Sequence, residues 1–303
     1  MIIPTFGRPQ LVGRAVRSAL AQTFKDMEVI VVVDGPDEKT SGTLKHIDDP
    51  RMRVIVLPEH VGGSDARNQG VRASRGEWIA FLDDDDEWLP EKLERQLEFA
   101  VHSRSVFPVI SCKTIARTPT GDFILPRRNP GDAEPVCEYL FVRHSFFQGE
   151  GILPIITLLV KKRLLEAVPF QSGLKKYQDW DWVLRVARIE GVRFEIVPEP
   201  LAVWNVAEGR RESVGTSCMW QYSLDWLKKS SFLFTPRAYA GFVSTSLVSQ
   251  ASRQGEWKAF VPLLCEMYRF GLPRAMDHLL FLGMWFVPQH MRRKIRSFLK
   301  AKD

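Results

Sequence analysis

Trp78-Ile79-Ala80-Phe81-Leu82 runs directly into Asp83-Asp84-Asp85-Asp86. A short apolar, aromatic-rich run of this kind reads as a buried strand. Four adjacent carboxylates at its end repel one another unless positive charge lies among them. A divalent cation, Mg²⁺ or Mn²⁺, is the simplest source, because it prefers carboxylate oxygen and keeps positions open for substrate phosphates. In an open α/β sheet, ligands bind beyond the carboxyl ends of the strands, which is where this cluster falls. The competing reading is a solvated acidic turn, with Asp86 as N-cap of a helix whose first turn holds Pro90 and Glu91.

Upstream of the acids, strand and helix patterns alternate. Ile2-Ile3 starts a strand that Pro4-Thr5-Phe6-Gly7-Arg8-Pro9 interrupts. Leu11, Val12, Ala15, Val16, Ala19 and Leu20 then recur at a helical period. The run 28–33, EVIVVV, predicts a buried strand closed by Asp34-Gly35-Pro36, and 53–57 predicts another. Gly62-Gly63-Ser64 leads into a helix through Asp65-Ala66-Arg67-Asn68. This order predicts an α/β fold with a mostly parallel central sheet flanked by helices. Neither GxGxxG nor GxxxxGK[ST] occurs, which argues against the usual dinucleotide fold and against a P-loop.

Downstream, 109–115 and 123–125 read as strands around a turn, 152–160 as an apolar strand, and Tyr177 as the approach to a helix. Beyond Pro200 the chain reads as helical, over 220–232, 238–251, 258–270 and 291–300. The predicted division is a domain over 1–210 and a helical extension over 211–303.

The 303 residues suffice for a large core without staples. Four scattered cysteines, Cys112, Cys137, Cys218 and Cys265, form no CxxC pair and read as reduced, mostly buried thiols of a cytosolic protein. The chain opens at Met1-Ile2-Ile3 with no signal-peptide pattern. No segment reaches the roughly 18 apolar residues of a membrane span. Net charge is +6, distributed as −5 over residues 1–100, +3 over 101–200 and +8 over 201–303. A basic excess at one end favours an anionic surface or an ordinary decorated helical tail.

Five blocks, taken in order, resemble the family 2 inverting glycosyltransferases of the GT-A fold: 2–9 (IIPTFGRP), 28–35 (EVIVVVDG), 62–70 (GGSDARNQG), 76–93 (GEWIAFLDDDDEWLPEKL) and 178–185 (QDWDWVLR). The resemblance covers about the first 205 residues and implies a nucleotide-sugar-binding sheet. Relatives carry a few more strand residues before Ile-Pro-Thr, which implies either that Met1 begins inside the first strand or that the true start lies upstream.

The family's Asp-x-Asp motif fits Asp83 and Asp85 as metal ligands, with Asp84 beside the substrate; the register Asp84-x-Asp86 also fits. An Mn²⁺ or Mg²⁺ ion there bridges the donor diphosphate in relatives and stabilises the leaving nucleoside diphosphate. The resemblance also implies that Asp34 bonds the nucleotide base and that Pro4, Thr5 and Phe6 line the nucleoside. It makes Arg67 a contact to base or phosphate, against the plainer reading of a helix-face arginine. Asp179 is implied as the general base that takes the acceptor proton, with Asp181 second and helix capping as the plainer role. Gln178 stands where the family has Glu. Trp180 and Trp182 are read as a floor for a sugar ring or as core packing. Arg210 and Arg211 are read as diphosphate contacts or a charged hinge.

Leu279 to Pro288, followed by Arg292-Arg293-Lys294 and Arg296, combines apolar-aromatic and basic character, as an interfacial anchor on an anionic leaflet does; a helix packed on the protein is the alternative. The implied activity is transfer of a sugar, with inversion, from a nucleotide-diphosphate sugar to a hydroxyl of a surface glycan or its lipid carrier. It implies no nucleic-acid partner and a cytoplasmic protein, at the inner face of the cell membrane if anchored. The rival readings are a sugar-nucleotide nucleotidyltransferase and a non-catalytic nucleotide- or glycan-binding protein on the same fold.

Overall fold

The computed structural model describes residues 1–119, 121–146, 149–206, 219–287 and 291. The chain divides into two compact units, residues 1–126 with 153–215 and residues 127–152 with 216–303. The segment 127–152, left inside the 1–210 domain by the sequence pattern, groups with the C-terminal helices.

The first unit opens with β1 (Ile2–Thr5), α1 (Pro9–Leu20), β2 (Val29–Val33), α2 (Glu38–Lys45) and β3 (Met52–Val56). β2 pairs in parallel with β1 and β3, Val31 lying opposite Ile3 and Val54. All five β2 residues are buried, as expected of a central parallel strand covered on both faces. β3 is an edge strand and is half-open, because Val54 and Val56 share an uncovered face. α3 (Gly63–Ala73) follows and packs so tightly on β1 that a Cβ on Gly70 would stand 2.5 Å from Ile2 Cγ2. Its entrance turns at Gly62, whose φ of +92° suits glycine.

β4 (Trp78–Ala80) is shorter than the strand expected over 78–82; at Phe81 the chain makes a single parallel bridge to Ile2 of β1. β5 (Glu87–Trp88), α4 (Lys92–Val101), β6 (Phe107–Thr118) and β7 (Gly121–Leu125) follow. Because α4 begins at Lys92 behind Glu91, Asp86 is not its N-cap. α5 (Val136–Phe141) belongs to the second unit, and β8 (Leu159–Lys161), α6 (Lys162–Ala167), α7 (Gln178–Val186) and β9 (Val192–Asn205) complete the first. The strand expected over 152–160 is a 3-10 turn at Ile155–Thr157 and then β8, since Pro154, which has no N–H to give a ladder, opens the turn.

The second sheet runs β4-β8-β6-β9-β5, with β7 beside β6. β6 and β9 are parallel, while β8 runs antiparallel to β4 and β6, and β5 antiparallel to β9. The three-stranded sheet is therefore parallel and the six-stranded sheet mixed, with the Ile2–Phe81 bridge between them. Phe170 packs edge-on to Phe81 (5.3 Å) and stacks on Trp182 (5.5 Å), joining the end of β4 to α7 in the core.

The second unit continues with α8 (Trp220–Lys229), α9 (Pro236–Phe242), α10 (Val248–Arg253), α11 (Phe260–Arg269) and α12 (Ala275–Phe286), and α9 packs on α5. The helix expected over 238–251 is α9 and α10 joined through a π-helical turn at Val243–Leu247. Thr235 caps α9 by accepting from the Ala238 N–H, with Pro236 in the first turn. Phe141 stacks on Phe234 and meets Phe242 edge-on. Tyr239 Oη donates to Glu266 at 2.6 Å, and Lys228 pairs with the same carboxylate. No helix among the described residues is long and apolar enough to cross a membrane. The helix expected over 291–300 lies outside the described residues apart from Met291, as do Arg210 and Arg211.

Candidate active site

The acid run lies where β4 ends beside β1, on the carboxyl side of both parallel-bridged strands. Leu82 N–H donates to Ile2 O at 3.0 Å, and the chain then turns, Asp86 N–H donating to Asp83 O at 3.2 Å. Side chains alternate across this turn. Asp84 and Asp86 are buried, while Asp83 and Asp85 are only partly covered.

Each acid has a defined partner. Thr5 Oγ1 donates to Asp84 Oδ2 at 2.7 Å, and Arg8 Nη1 donates to Asp84 Oδ1 at 3.0 Å and to Asp85 Oδ2 at 3.1 Å. Arg14 Nη2 donates to the Asp85 carbonyl at 2.7 Å. Asn205, the last residue of β9, clamps the turn from the far side. Its N–H donates to Asp86 Oδ1 at 2.7 Å and its Nδ2 to Asp85 O at 2.9 Å. Arg67, from α3, donates through Nη2 to Asp83 Oδ1 at 2.6 Å. Three arginines thus supply positive charge that the sequence pattern assigns to a metal alone. Burial pushes the Asp84 carboxyl up to about 6 against the pull of Arg8. Burial also raises Asp85, and raises Asp86 well above the usual carboxylate range.

Arg67 is no solvated helix-face arginine; its side chain is 11 % exposed. Its Nη1 donates to Gln178 Oε1 at 3.0 Å, at the start of α7. Asp179 comes next, half-buried, with Oδ1 accepting from the Trp180 N–H at 2.9 Å. Burial raises its pKa, opposed by that N–H and by the nearby Arg67 charge, while Asp83 pushes it further up. Tyr177, not Asp179, is the N-cap, at a left-handed φ of 68° that few non-glycine residues adopt. Its ring lies parallel to Trp180 at 5.0 Å. Asp181 is buried and bound to Arg185 Nε at 2.7 Å. Trp182 cannot be a sugar floor, because it is fully buried and gives its Nε1–H to Val168 O at 2.8 Å.

At the end of β2, Asp34 is buried and accepts from the Val61 and Gly62 N–H groups at 2.7 and 2.9 Å. His60 Nδ1 lies 2.9 Å from Asp34 Oδ2, and its ring stacks on exposed Phe6 at 4.1 Å. Pro4 lies in β1 and is partly exposed. Of the expected nucleoside contacts, Phe6 faces solvent, whereas Thr5 and Asp34 stand behind the surface with their oxygens engaged. Arg8, Arg14, His60 and Asn205 take no role in the sequence pattern. Arg8 alone carries a signal there, inside the block IIPTFGRP.

Among the described residues no group of three or more His, Cys, Asp or Glu side chains is arranged to hold a metal. Asp83 and Asp85 nonetheless fit a Mg²⁺- or Mn²⁺-type ion, which takes one or two carboxylates and fills its remaining positions with phosphate and water.

The fold is that of GT-A glycosyltransferases. The structure of S. aureus TarS 1–349 is similar over 99% of this chain and 90% of that one, with TM-score 0.57 and 18% identity. The mannosyltransferase PcManGT from Pyrobaculum calidifontis, solved with GDP-Man and Mn²⁺, is similar over 99% and 78%, with TM-score 0.53 and 14% identity. Residues 1–139 match the family "Glycosyl transferase family 2". The amylovoran biosynthesis glycosyltransferase AmsB of Erwinia amylovora is 24% identical over 75% of both chains. The putative teichuronic acid biosynthesis glycosyltransferase TuaG of Bacillus subtilis is 33% identical over 41% of this chain and 51% of its own length.

Proposed function

We propose that the protein is an inverting glycosyltransferase that moves a sugar from a nucleotide-diphosphate donor to an acceptor hydroxyl in surface polysaccharide assembly. The observation that carries this reading is the Arg67 bridge, which joins the acid run through Asp83 to the start of α7 beside Asp179. Names of relatives such as AmsB and TuaG, and a TarS structure in complex with UDP-GlcNAc, support the polymer and the donor class.

Asp83 and Asp85 would hold a divalent ion, which would supply charge neutralisation for the departing nucleoside diphosphate. Arg67 holds Asp83 in place and lends positive charge to the diphosphate side. The Trp180 N–H orients Asp179 through Oδ1, leaving Oδ2 to take the proton from the acceptor hydroxyl. A raised carboxylate pKa suits a base that must accept a proton near neutral pH. Asp181 is the weaker candidate base, since Arg185 occupies it. The Trp180 face beside Asp179 suits an acceptor sugar ring, and Phe6 with His60 suits the nucleobase. Arg210 and Arg211 are proposed diphosphate contacts.

On this reading residues 1–210 are catalytic and 211–303 accessory. Leu279, Leu282 and Phe286 on α12 are exposed, as is Trp257. With the basic residues after 291 they suit contact with an anionic leaflet on the cytoplasmic side, where a lipid-linked acceptor is presented.

The test is Asp179→Asn, assayed beside wild type for donor binding and for transfer. Retained nucleotide binding with transfer lost supports the assignment, and transfer at the wild-type rate removes it. Thermal shifts with a panel of nucleoside diphosphates, with Mn²⁺ and with chelator, identify the base.

A further inference from the structure

Arg8 immediately precedes α1, and its Nη1 lies between two carboxylates, 3.0 Å from Asp84 Oδ1 and 3.1 Å from Asp85 Oδ2. Asp84 is also held on its other oxygen by Thr5 Oγ1 at 2.7 Å, so it is fixed from both sides. On Asp85, Arg8 engages Oδ2. A divalent ion of the Mg²⁺ type needs its carboxylate oxygen at about 2.0–2.1 Å along a lone pair. The guanidinium nitrogen of Arg8 takes a lone pair of Oδ2 and places a positive charge beside it, where it competes with a cation.

We propose that Arg8 is a built-in counter-cation that restrains metal entry at Asp85 until the donor arrives, and then exchanges the carboxylates for the donor diphosphate. The proposal rests on the reading of Asp83 and Asp85 as the donor-diphosphate end of the site. Three observations favour the exchange. The Arg8 side chain is 27 % exposed whereas that of Asp84 is 7 % exposed, so the arginine is the partner able to turn outward. Gly7 before it donates its N–H to Asp37 Oδ2 at 3.2 Å, which anchors the backbone while the Arg8 side chain turns. The guanidinium fork matches diphosphate oxygens as well as it matches carboxylates. Metal and donor then bind cooperatively, and by linkage each tightens the other by the same factor.

The experiment measures Mn²⁺ affinity of nucleotide-free wild type, Arg8→Gln and Arg8→Lys by calorimetry, checked by the electron paramagnetic resonance of free Mn²⁺. The titration is repeated with UDP and with GDP. Removing a charge-assisted contact that competes for the Asp85 oxygen should tighten Mn²⁺ binding of nucleotide-free Arg8→Gln about tenfold or more. The factor by which nucleotide tightens Mn²⁺ should fall to the same extent. Arg8→Lys, whose single ammonium lacks the fork, shifts the same way by less. It keeps a positive charge beside buried Asp84 and carries the test if Arg8→Gln does not fold. Unchanged or weaker nucleotide-free Mn²⁺ affinity in the folded variants overturns the proposal. If wild type binds neither UDP nor GDP with Mn²⁺ while the variants still gain Mn²⁺ affinity, the donor-site reading fails and the counter-cation role stands. Metal-dependent nucleotide binding with no gain in the variants removes the counter-cation role and leaves the donor site in place.

Discussion

Arg67 and Asp83 form a 2.6 Å ion pair that reaches from α3 to the acid run, and the same guanidinium holds Gln178 at the mouth of α7. Two separate nitrogens make the two contacts, which a lysine cannot reproduce. Arg67→Lys should therefore keep the fold but lower nucleotide affinity and turnover by at least about tenfold each, corresponding to the loss of a charge-assisted bond. Calorimetry with nucleotide and a transfer assay with donor check this; a wild-type transfer rate would show that the bridge has no catalytic part.

Asp181 should matter for stability rather than chemistry. Its carboxylate is buried against Arg185, and losing that contact should cost about 1–3 kcal/mol. Urea denaturation of Asp181→Asn should show the loss, with transfer kept within about twofold. Loss of transfer with stability unchanged would instead make Asp181 the base.

Gly70 tests whether helix position governs the site. A Cβ there would stand 2.5 Å from Ile2 Cγ2, so α3 must shift outward to accept it. Gly70→Ala should destabilise the protein by about 1–3 kcal/mol through overpacking. Because Arg67 lies on the same helix, nucleotide affinity should fall as well, in contrast to an exposed substitution of equal destabilisation.

Lys92 provides a pH test remote from the acids. It is fully buried, bonds Gln96 Oε1 at 2.6 Å and lies 4.0 Å from the centre of the Trp88 ring. Burial lowers its pKa from 10.5 to about 8. The folded state therefore binds fewer protons than the unfolded chain between these values, and stability contributed at this site rises with pH across that window. Below pH 8 the full cost of burying the charge is present; above 10.5 it is relieved. Relative to Lys92→Met, wild type should gain up to about 3 kcal/mol between pH 8 and 10.5. Denaturant melts of both proteins across that range check the slope, and a flat difference would contradict the shift.

The parallel β1–β3 region and the location of the acids were legible because each depends on local pattern: a buried EVIVVV run, alternating helix periods, and carboxylates at a strand end. The environment of those carboxylates was not legible. Arg8, Arg14 and Asn205 reach them from distant parts of the sequence, and the folded chain, not the local run, decides which acids face inward. The same limit explains Trp182, for which the sequence left a sugar floor and core packing open and which stacks on Phe170 in the core. Pro154 broke the apolar run 152–160 and left only the short strand β8, while β3 kept its strand but lacked the cover its valines implied.

Phe170, sandwiched between Phe81 and Trp182, has a consequence for divergence within such enzymes. Phe81 lies two residues before Asp83, and Trp182 three residues after Asp179, so three rings set the spacing between the two ends of the site. None of the rings is one of the proposed substrate contacts. On the proposed reading, loops that would choose a base, a sugar or an acceptor can be exchanged by grafting while these rings keep the acid run and α7 at one spacing. A library that varies those loops should keep Phe81, Phe170 and Trp182 constant.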